Sequence, residues 1–204
     1  PAAVALVADG RTALALMSRA LPMAGEVVLI EAAAGGVGTL LVQLARNAGA
    51  RVVALAGQQR KLGLPRELGA EITVDYSRED WPELIRDAVG TVDVVFDGVG
   101  GHIGRAAFGL LGPEGRFCPF GMASGSFAAV TAELAAEHKV AIPRTGPMSP
   151  AQQAALAREA LAQAEAGTIR PVIGQQMALE QAADAHTAIE ARATTGKTLL
   201  TVTR

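Results

Sequence analysis

Ala33, Gly35 and Gly38 stand at the spacing of a G-x-G-x-x-G turn with alanine in the first place. They follow the apolar run Val27–Glu31 and precede a helical pattern over Thr39–Ala48. Small side chains let the backbone turn tightly and come close to a pyrophosphate, and Gly38 lets the helix pack against the strand. The helix N-terminus offers unpaired N–H groups and the positive end of a dipole to phosphate oxygens. Alone, such a turn is a weak signal, because glycine-rich strand-to-helix turns also serve packing.

A second group with chemical potential is Ala56-Gly57-Gln58-Gln59-Arg60-Lys61, just after the next apolar run. An acid here would accept hydrogen bonds from adenosine ribose hydroxyls and repel a 2′-phosphate. The segment has no acid and two adjacent cations, in a chain with three lysines (Lys61, Lys139, Lys197) and fifteen arginines. A phosphate dianion attracts such cations, so NADP(H) is expected over NAD(H). The plainer reading is a solvated first helical turn.

Other nucleotide chemistries fit less well. A P-loop would close on Gly-Lys-Ser/Thr, whereas this turn continues as Gly38-Thr39-Leu40. Sites for FAD or adenosylmethionine commonly want the missing acid. A tyrosine followed four residues later by lysine, as a short-chain dehydrogenase requires, does not occur: Tyr76 is followed at that distance by Asp80. His102, His138 and His186 show no metal-binding spacing and no metal is expected, while Cys118 inside an apolar run reads as a small buried residue.

These groups need a scaffold, and the alternation of apolar runs with helical patterns supplies one. Strands are expected at Val27–Glu31, Arg51–Ala56, Ile72–Val74, Val92–Asp97, Arg116–Phe120 and Lys139–Pro143. Helices are expected near 9–19, 39–49, 58–68, 80–89, 103–111 and 131–137, with Asp80 and Glu83 forming a capping box. The predicted fold is α/β: a Rossmann-type, doubly wound parallel sheet in the order 3-2-1-4-5-6, with helices on both faces. Its ligand crevice lies at the carboxyl ends of strands one and four. Ser149-Pro150-Ala151-Gln152 is a second capping box, opening a long helix that ends at Gly167. A strand at Ile169–Ile173, a helix at Leu179–Arg192 and a strand at Thr198–Val202 complete a C-terminal tail. The expected division is a nucleotide-binding domain over 1–166 and a tail over 167–204.

With 204 residues, 50% hydrophobic and 19% charged, and a net charge of −2, the chain can bury a full core and has no electrostatic footprint for nucleic acid. A single cysteine precludes an internal disulfide. Neither a membrane-spanning stretch nor a secretory leader is expected, which makes the cytoplasm the default location. The chain opens on Pro1 without methionine, as a processed chain, an excised domain or a fragment would.

The segments GEVVLIEAAAGGVG, VDVVFDGVGG, GRFCPFGMASG and ATTGKTLL, in that order, resemble the zinc-independent quinone oxidoreductase branch of the medium-chain dehydrogenase/reductases, the ζ-crystallin-like proteins. The resemblance implies NADPH-dependent reduction of a small-molecule electron acceptor, a quinone or other conjugated carbonyl. By matching positions, Gly35, Gly36, Val37 and Gly38 would cradle the pyrophosphate. Gly57 would admit the adenosine ribose, and Lys61 and Tyr76 would hold its 2′-phosphate. Val99, Gly100, Phe120, Gly121 and Met122 would line the nicotinamide half, with Pro143 and Arg144 at the carboxamide. Lys197 takes the family's Gly-Lys position, with a surface lysine as the default reading.

Family members carry a leading catalytic domain, so the resemblance implies that most of the substrate pocket precedes Pro1. It follows that this chain alone has little or no turnover, and no catalytic residue is named within it. Homodimers through the edge strand near Val140–Ile142 are expected, since an open sheet edge invites pairing. Alternatives are an enoyl reductase acting on an enoyl thioester, free-standing or within a polyketide synthase. A nucleotide-binding regulatory module without turnover, or an interaction protein that has lost nucleotide, would be a different class.

Overall fold

The computed structural model describes residues 1–143 and 146–202. In chain order, α1 (Ala2–Ala20) leads to β1 (Val27–Ile30), α2 (Gly36–Asn47) and β2 (Arg51–Ala56). A 3-10 turn at Gln59–Lys61 and α3 (Gly63–Glu67) precede β3 (Ile72–Asp75), α4 (Trp81–Val89) and β4 (Val92–Asp97). Then come α5 (Gly101–Phe108), β5 (Leu111–Pro119), α6 (Ala132–Glu137) and α7 (Pro150–Glu165). The tail holds β6 (Ile173–Ala178), a 3-10 turn at Leu179–Gln181, α8 (Ala182–Glu190) and β7 (Lys197–Thr201).

The main sheet is parallel throughout, in the order β3-β2-β1-β4-β5. Successive side chains of a strand face opposite ways, so the apolar runs feed two cores. Val28, Ile30, Val94 and Phe96 pack with Leu14 of α1, Leu40 and Leu41 of α2 and Ala160 of α7. Leu29, Val53 and Val95 face Trp81 and Ile85 of α4 and Ile103 and Phe108 of α5. This coverage of both faces is why β1 is buried at every position.

Strand six of the expected order is reduced to a trace. Residues 139–143 run beside β5, where Phe117 N–H donates to the Ala141 carbonyl (2.9 Å) and Ala141 N–H to that of Gly115 (2.8 Å). Only the Arg116–Ala141 pair forms a parallel bridge. Lys139 sits at φ 56°, so the chain enters this edge from a left-handed kink that shortens the pairing.

Other departures have local causes. Residues 112–115, between the expected helix over 103–111 and the expected strand from Arg116, lie within β5, whose register to β4 shifts between Val92 and Val94. The 58–68 helix is divided into a 3-10 turn and a five-residue helix containing Pro65. Asp80 caps nothing through its side chain, because its carboxylate takes a two-point contact from Arg78 (2.8 and 2.7 Å). The capping box at Ser149 forms as expected, with Ser149 N–H on Gln152 Oε1 (2.8 Å) and Gln152 N–H on Ser149 Oγ (3.3 Å). In the tail the first strand starts four residues later than expected and pairs parallel with β7. That pair is tied to the main body at the glycine turn: Gly196 N–H donates to the Ala34 carbonyl (2.7 Å) beside a Gly35–Gly196 bridge. Among the described residues, no helix is long and apolar enough to cross a membrane.

Candidate functional site

The turn after β1 closes through Gly35 N–H on the Ala32 carbonyl (2.8 Å), with Ala32 held at φ 48°. A Cβ on Gly38 would collide with that carbonyl and with the Ala33 backbone, so only glycine lets α2 approach β1 this closely. The first helix amide with a backbone acceptor is Thr39, which donates to Gly35 (2.9 Å). The amides ahead of it, on Gly36, Val37 and Gly38, form the open N-terminus of a helix and can receive an anion.

Next to this turn, at the carboxyl end of β2, lies a cleft of ≈ 150 Å³ that gathers Gly35, Gly57, Lys61 and Tyr76. A Cβ on Gly57 would stand 2.7 Å from Tyr76 Oη, so the ring lies directly on the glycine backbone. Burial pushes the Tyr76 phenol above its ordinary range.

Arg192, just past α8, completes the cleft and was not among the expected site residues. It sits at φ 52°, a left-handed conformation that turns the chain out of the helix. Its guanidinium donates to the Ala123 carbonyl (2.7 Å), and its own carbonyl accepts from Lys61 Nζ (2.6 Å). Arg60 donates to the neighbouring Ala193 carbonyl (3.3 Å). Burial, followed by repulsion from Arg60 and Arg192, lowers the Lys61 ammonium below the usual lysine range. Among the described residues, no carboxylate lines the cleft. Lys61 and Arg192 in the cleft and Arg60 beside it, each held on a carbonyl, form a site that favours a multivalent anion. Nothing in the local sequence marks Arg192, which is 131 residues from Lys61 and meets it only through the tail's return.

The remaining expected site residues gather at the end of β4, outside the lining of this cleft, which takes only Ala123 from that side. Val99 is buried, and its carbonyl accepts from Ser124 N–H (2.8 Å). Gly121 N–H reaches the Asp97 carbonyl (3.2 Å), and a Cβ on Gly98 would lie 2.7 Å from Phe120 Cζ. The 98–100 turn and the 120–126 loop are thereby zipped together, placing Val99, Gly100, Phe120 and Gly121 on one wall. Met122 is half exposed at its rim. Pro143 lies beyond the Ala141 bridge, and Arg144 lies outside the described residues.

Lys197 is not the free surface lysine expected: its Nζ lies 2.9 Å from Asp9 Oδ1. A wider hollow of ≈ 590 Å³ runs along α5, lined by His102, Arg105 and Phe127 among others. It shares no lining residue with the cleft, although its Gly101 and Ser126 flank the 98–100 turn. Among the described residues, no group of three or more His, Cys, Asp or Glu side chains is placed to hold a metal ion.

A family model described as zinc-binding dehydrogenase matches residues 68–200, more than half of the chain. The chain belongs to the zinc-binding dehydrogenase family. Within this group, the medium-chain dehydrogenase/reductases, it falls on the quinone oxidoreductase branch. It is 36% identical over 209 residues to quinone oxidoreductase-like protein 2 of Bos taurus, covering 98% of this chain and 60% of that one. A mycobacterial protein solved in complex with NADPH superposes with a TM-score of 0.85 at 31% identity, over 95% of this chain and 62% of that one. Escherichia coli quinone oxidoreductase, also complexed with NADPH, gives a TM-score of 0.85 at 26% identity, over 95% of this chain and 63% of that one. This family member therefore spans less than two thirds of the length of those relatives.

Proposed function

We propose that this chain is the NADPH-binding part of an oxidoreductase that reduces a quinone or another conjugated carbonyl. The observation that carries the reading is the convergence of Lys61 and Arg192 on Tyr76 and Gly57 in a cleft with no acid among the described residues, with Arg60 just outside it on the Ala193 carbonyl. A dinucleotide with an added 2′-phosphate fits that chemistry, whereas NADH has no group to use the cations.

In this reading Gly35, Gly36, Val37 and Gly38 hold the pyrophosphate at the start of α2, next to the open amides. Gly57 admits the ribose, and Lys61, Tyr76 and Arg192 hold the 2′-phosphate. Val99, Gly100, Phe120, Gly121 and Met122 wall the nicotinamide half, and Pro143 and Arg144 lie toward the carboxamide. When bound, the nicotinamide supplies a hydride to the acceptor. The contribution of this chain is to bind and orient it, while the acceptor is held largely by the preceding part of a longer protein. Residues 1–166 then act as the nucleotide domain, and 167–204 return to pack on that preceding part. The run Val140–Ile142, outermost on the sheet, pairs with a second copy, and the protein works as a soluble cytoplasmic homodimer.

The decisive experiment is titration of the chain with NADPH and NADH, followed by cofactor fluorescence. Saturable NADPH binding with much weaker NADH binding is expected; no binding of either would remove the reading. Steady-state assays of the full-length protein then separate acceptors. Turnover of enoyl thioesters but not quinones would mark an enoyl reductase, and absence of turnover would leave a nucleotide-binding module.

A further inference from the structure

Glu31 and Asp97 lie at the carboxyl ends of the adjacent strands β1 and β4, both with 0% exposure. Val99 N–H is shared between them, 3.0 Å from Glu31 Oε2 and 3.1 Å from Asp97 Oδ1. Gly100 N–H also donates to Asp97 Oδ1 (2.6 Å). Two acceptors on one N–H stand close together, and the second oxygens, Glu31 Oε1 and Asp97 Oδ2, are buried without partners. The α5 backbone presses on the pair, since a Cβ on Gly104 would lie 2.6 Å from Asp97 Oδ2.

Among the described residues, no cation pairs with either carboxylate. The other groups around it are neutral or turned elsewhere. Tyr76, from the β3 side, interacts with Glu31 as an uncharged phenol raised by burial. Cys118, the β5 neighbour of Phe96, is a thiol pushed up to about 12 by burial. The only charged residue of α2 is Arg46, in its last turn, and His102 and Arg105 of α5 line the outer hollow. Arg192 and Lys61 line the anion cleft with Tyr76, where Arg192 bonds the Ala123 carbonyl and Lys61 the Arg192 carbonyl. Two carboxylates in such a place cannot both ionise without large cost, and one proton between them converts repulsion into a hydrogen bond.

We propose that Glu31 is a positioning residue that shares one proton with Asp97 and thereby fixes the Gly98–Gly100 turn, so that cofactor affinity falls as pH rises. Only the affinity half of this inference rests on the NADPH reading; the shared proton does not. Burial first, and then the contact with Asp97, raise the Glu31 carboxyl well above the ordinary 4.5. The folded chain therefore keeps a proton that the unfolded chain has lost. Stability from the pair is fully present below the ordinary carboxylate range and declines as pH climbs toward the raised value. The folding constant falls by up to about tenfold per pH unit in that window. NADPH affinity should fall about fivefold or more across it, the lower end of ordinary site-to-site coupling.

The test compares wild type with Glu31→Gln, which keeps a hydrogen bond to Asp97 without a titrating proton. Denaturant unfolding without nucleotide and NADPH titration by fluorescence are run in the same buffers from pH 5 to 9. The wild type should lose stability and NADPH affinity as pH rises, and Glu31→Gln should flatten both slopes. In addition, infrared spectra of the wild type should contain a protonated carboxyl band at neutral pH that fades as the pH rises, a readout that survives if the variant does not fold. An unchanged unfolding slope in Glu31→Gln, or no such band, would overturn the shared proton. A pH-independent NADPH affinity with the slope intact would overturn the positioning role. Absence of NADPH binding at every pH, with band and slope intact, would remove the nucleotide reading and leave the shared proton standing.

Discussion

Lys197 Nζ lies 2.9 Å from Asp9 Oδ1, tying β7 to α1 across the mouth of the glycine turn. The carboxylate of Asp9 fills the space where a Cβ on Gly36 would point, so Gly36 is required for the contact. The pair is partly shielded, with side-chain exposures of 33% for Lys197 and 13% for Asp9. An acid beside a helix N-terminus is favourable for the helix but opposes an incoming phosphate. Lys197 cancels that charge.

Lys197→Met should therefore act twice. The loss of a partly buried pair should cost about 1–2 kcal/mol, between the values for exposed and buried pairs. The uncompensated Asp9 should also weaken NADPH binding, and Asp9→Asn in the Lys197→Met background should restore it. Urea unfolding and cofactor fluorescence measure the two effects, and unaltered NADPH affinity in the single variant would show that the pair is only a staple.

Lys61→Ala and Arg192→Ala should each weaken NADPH much more than NADH. A lost charge-assisted hydrogen bond is worth about 1.5–3 kcal/mol, or roughly ten- to a hundredfold in affinity. Competitive titration of both cofactors gives the comparison, and equal losses for the two would refute the phosphate assignment.

Gly38→Ala should destabilise the fold directly, because its new methyl meets the Ala32 carbonyl and the Ala33 backbone, neither of which can step aside. A loss of about 1–3 kcal/mol, the usual cost of overpacking, is expected by chemical denaturation. A neutral substitution would mean that the turn is looser than its geometry implies.

Cys118 is 3% exposed, and burial raises its thiol to about 12. At pH 8 its thiolate fraction should be roughly one part in ten thousand. Labelling by a thiol reagent should therefore track global unfolding and accelerate with denaturant. Rapid labelling of the native chain at pH 8 would contradict this placement.

The parallel order of the sheet through β5 is legible in the sequence because the central strands are nearly continuous apolar runs, broken inside β4 only by Asp93, as burial on both faces demands. The glycine turn is legible because most of its constraints are local: Gly35 and Gly38 answer to Ala32 and Ala33, and only Gly36 answers to the distant Asp9. The edge strand near Ala141 is less so, since pairing there depends on a kink at Lys139 and on what β5 offers. Asp80 misleads for the same reason: the capping pattern is present, but Arg78 takes the carboxylate.

The sequence by itself therefore determined the alternating architecture, the glycine turn at the start of α2 and the cationic segment after β2, because hydrophobic period and backbone sterics act over short distances. Only the tertiary structure decided that Arg192 joins Lys61, that Lys197 faces Asp9 and that Glu31 meets Asp97. Those pairs are separated by 131, 188 and 66 residues. Charge interactions at that separation depend on where the folded strands and tail come to rest, which no local pattern encodes.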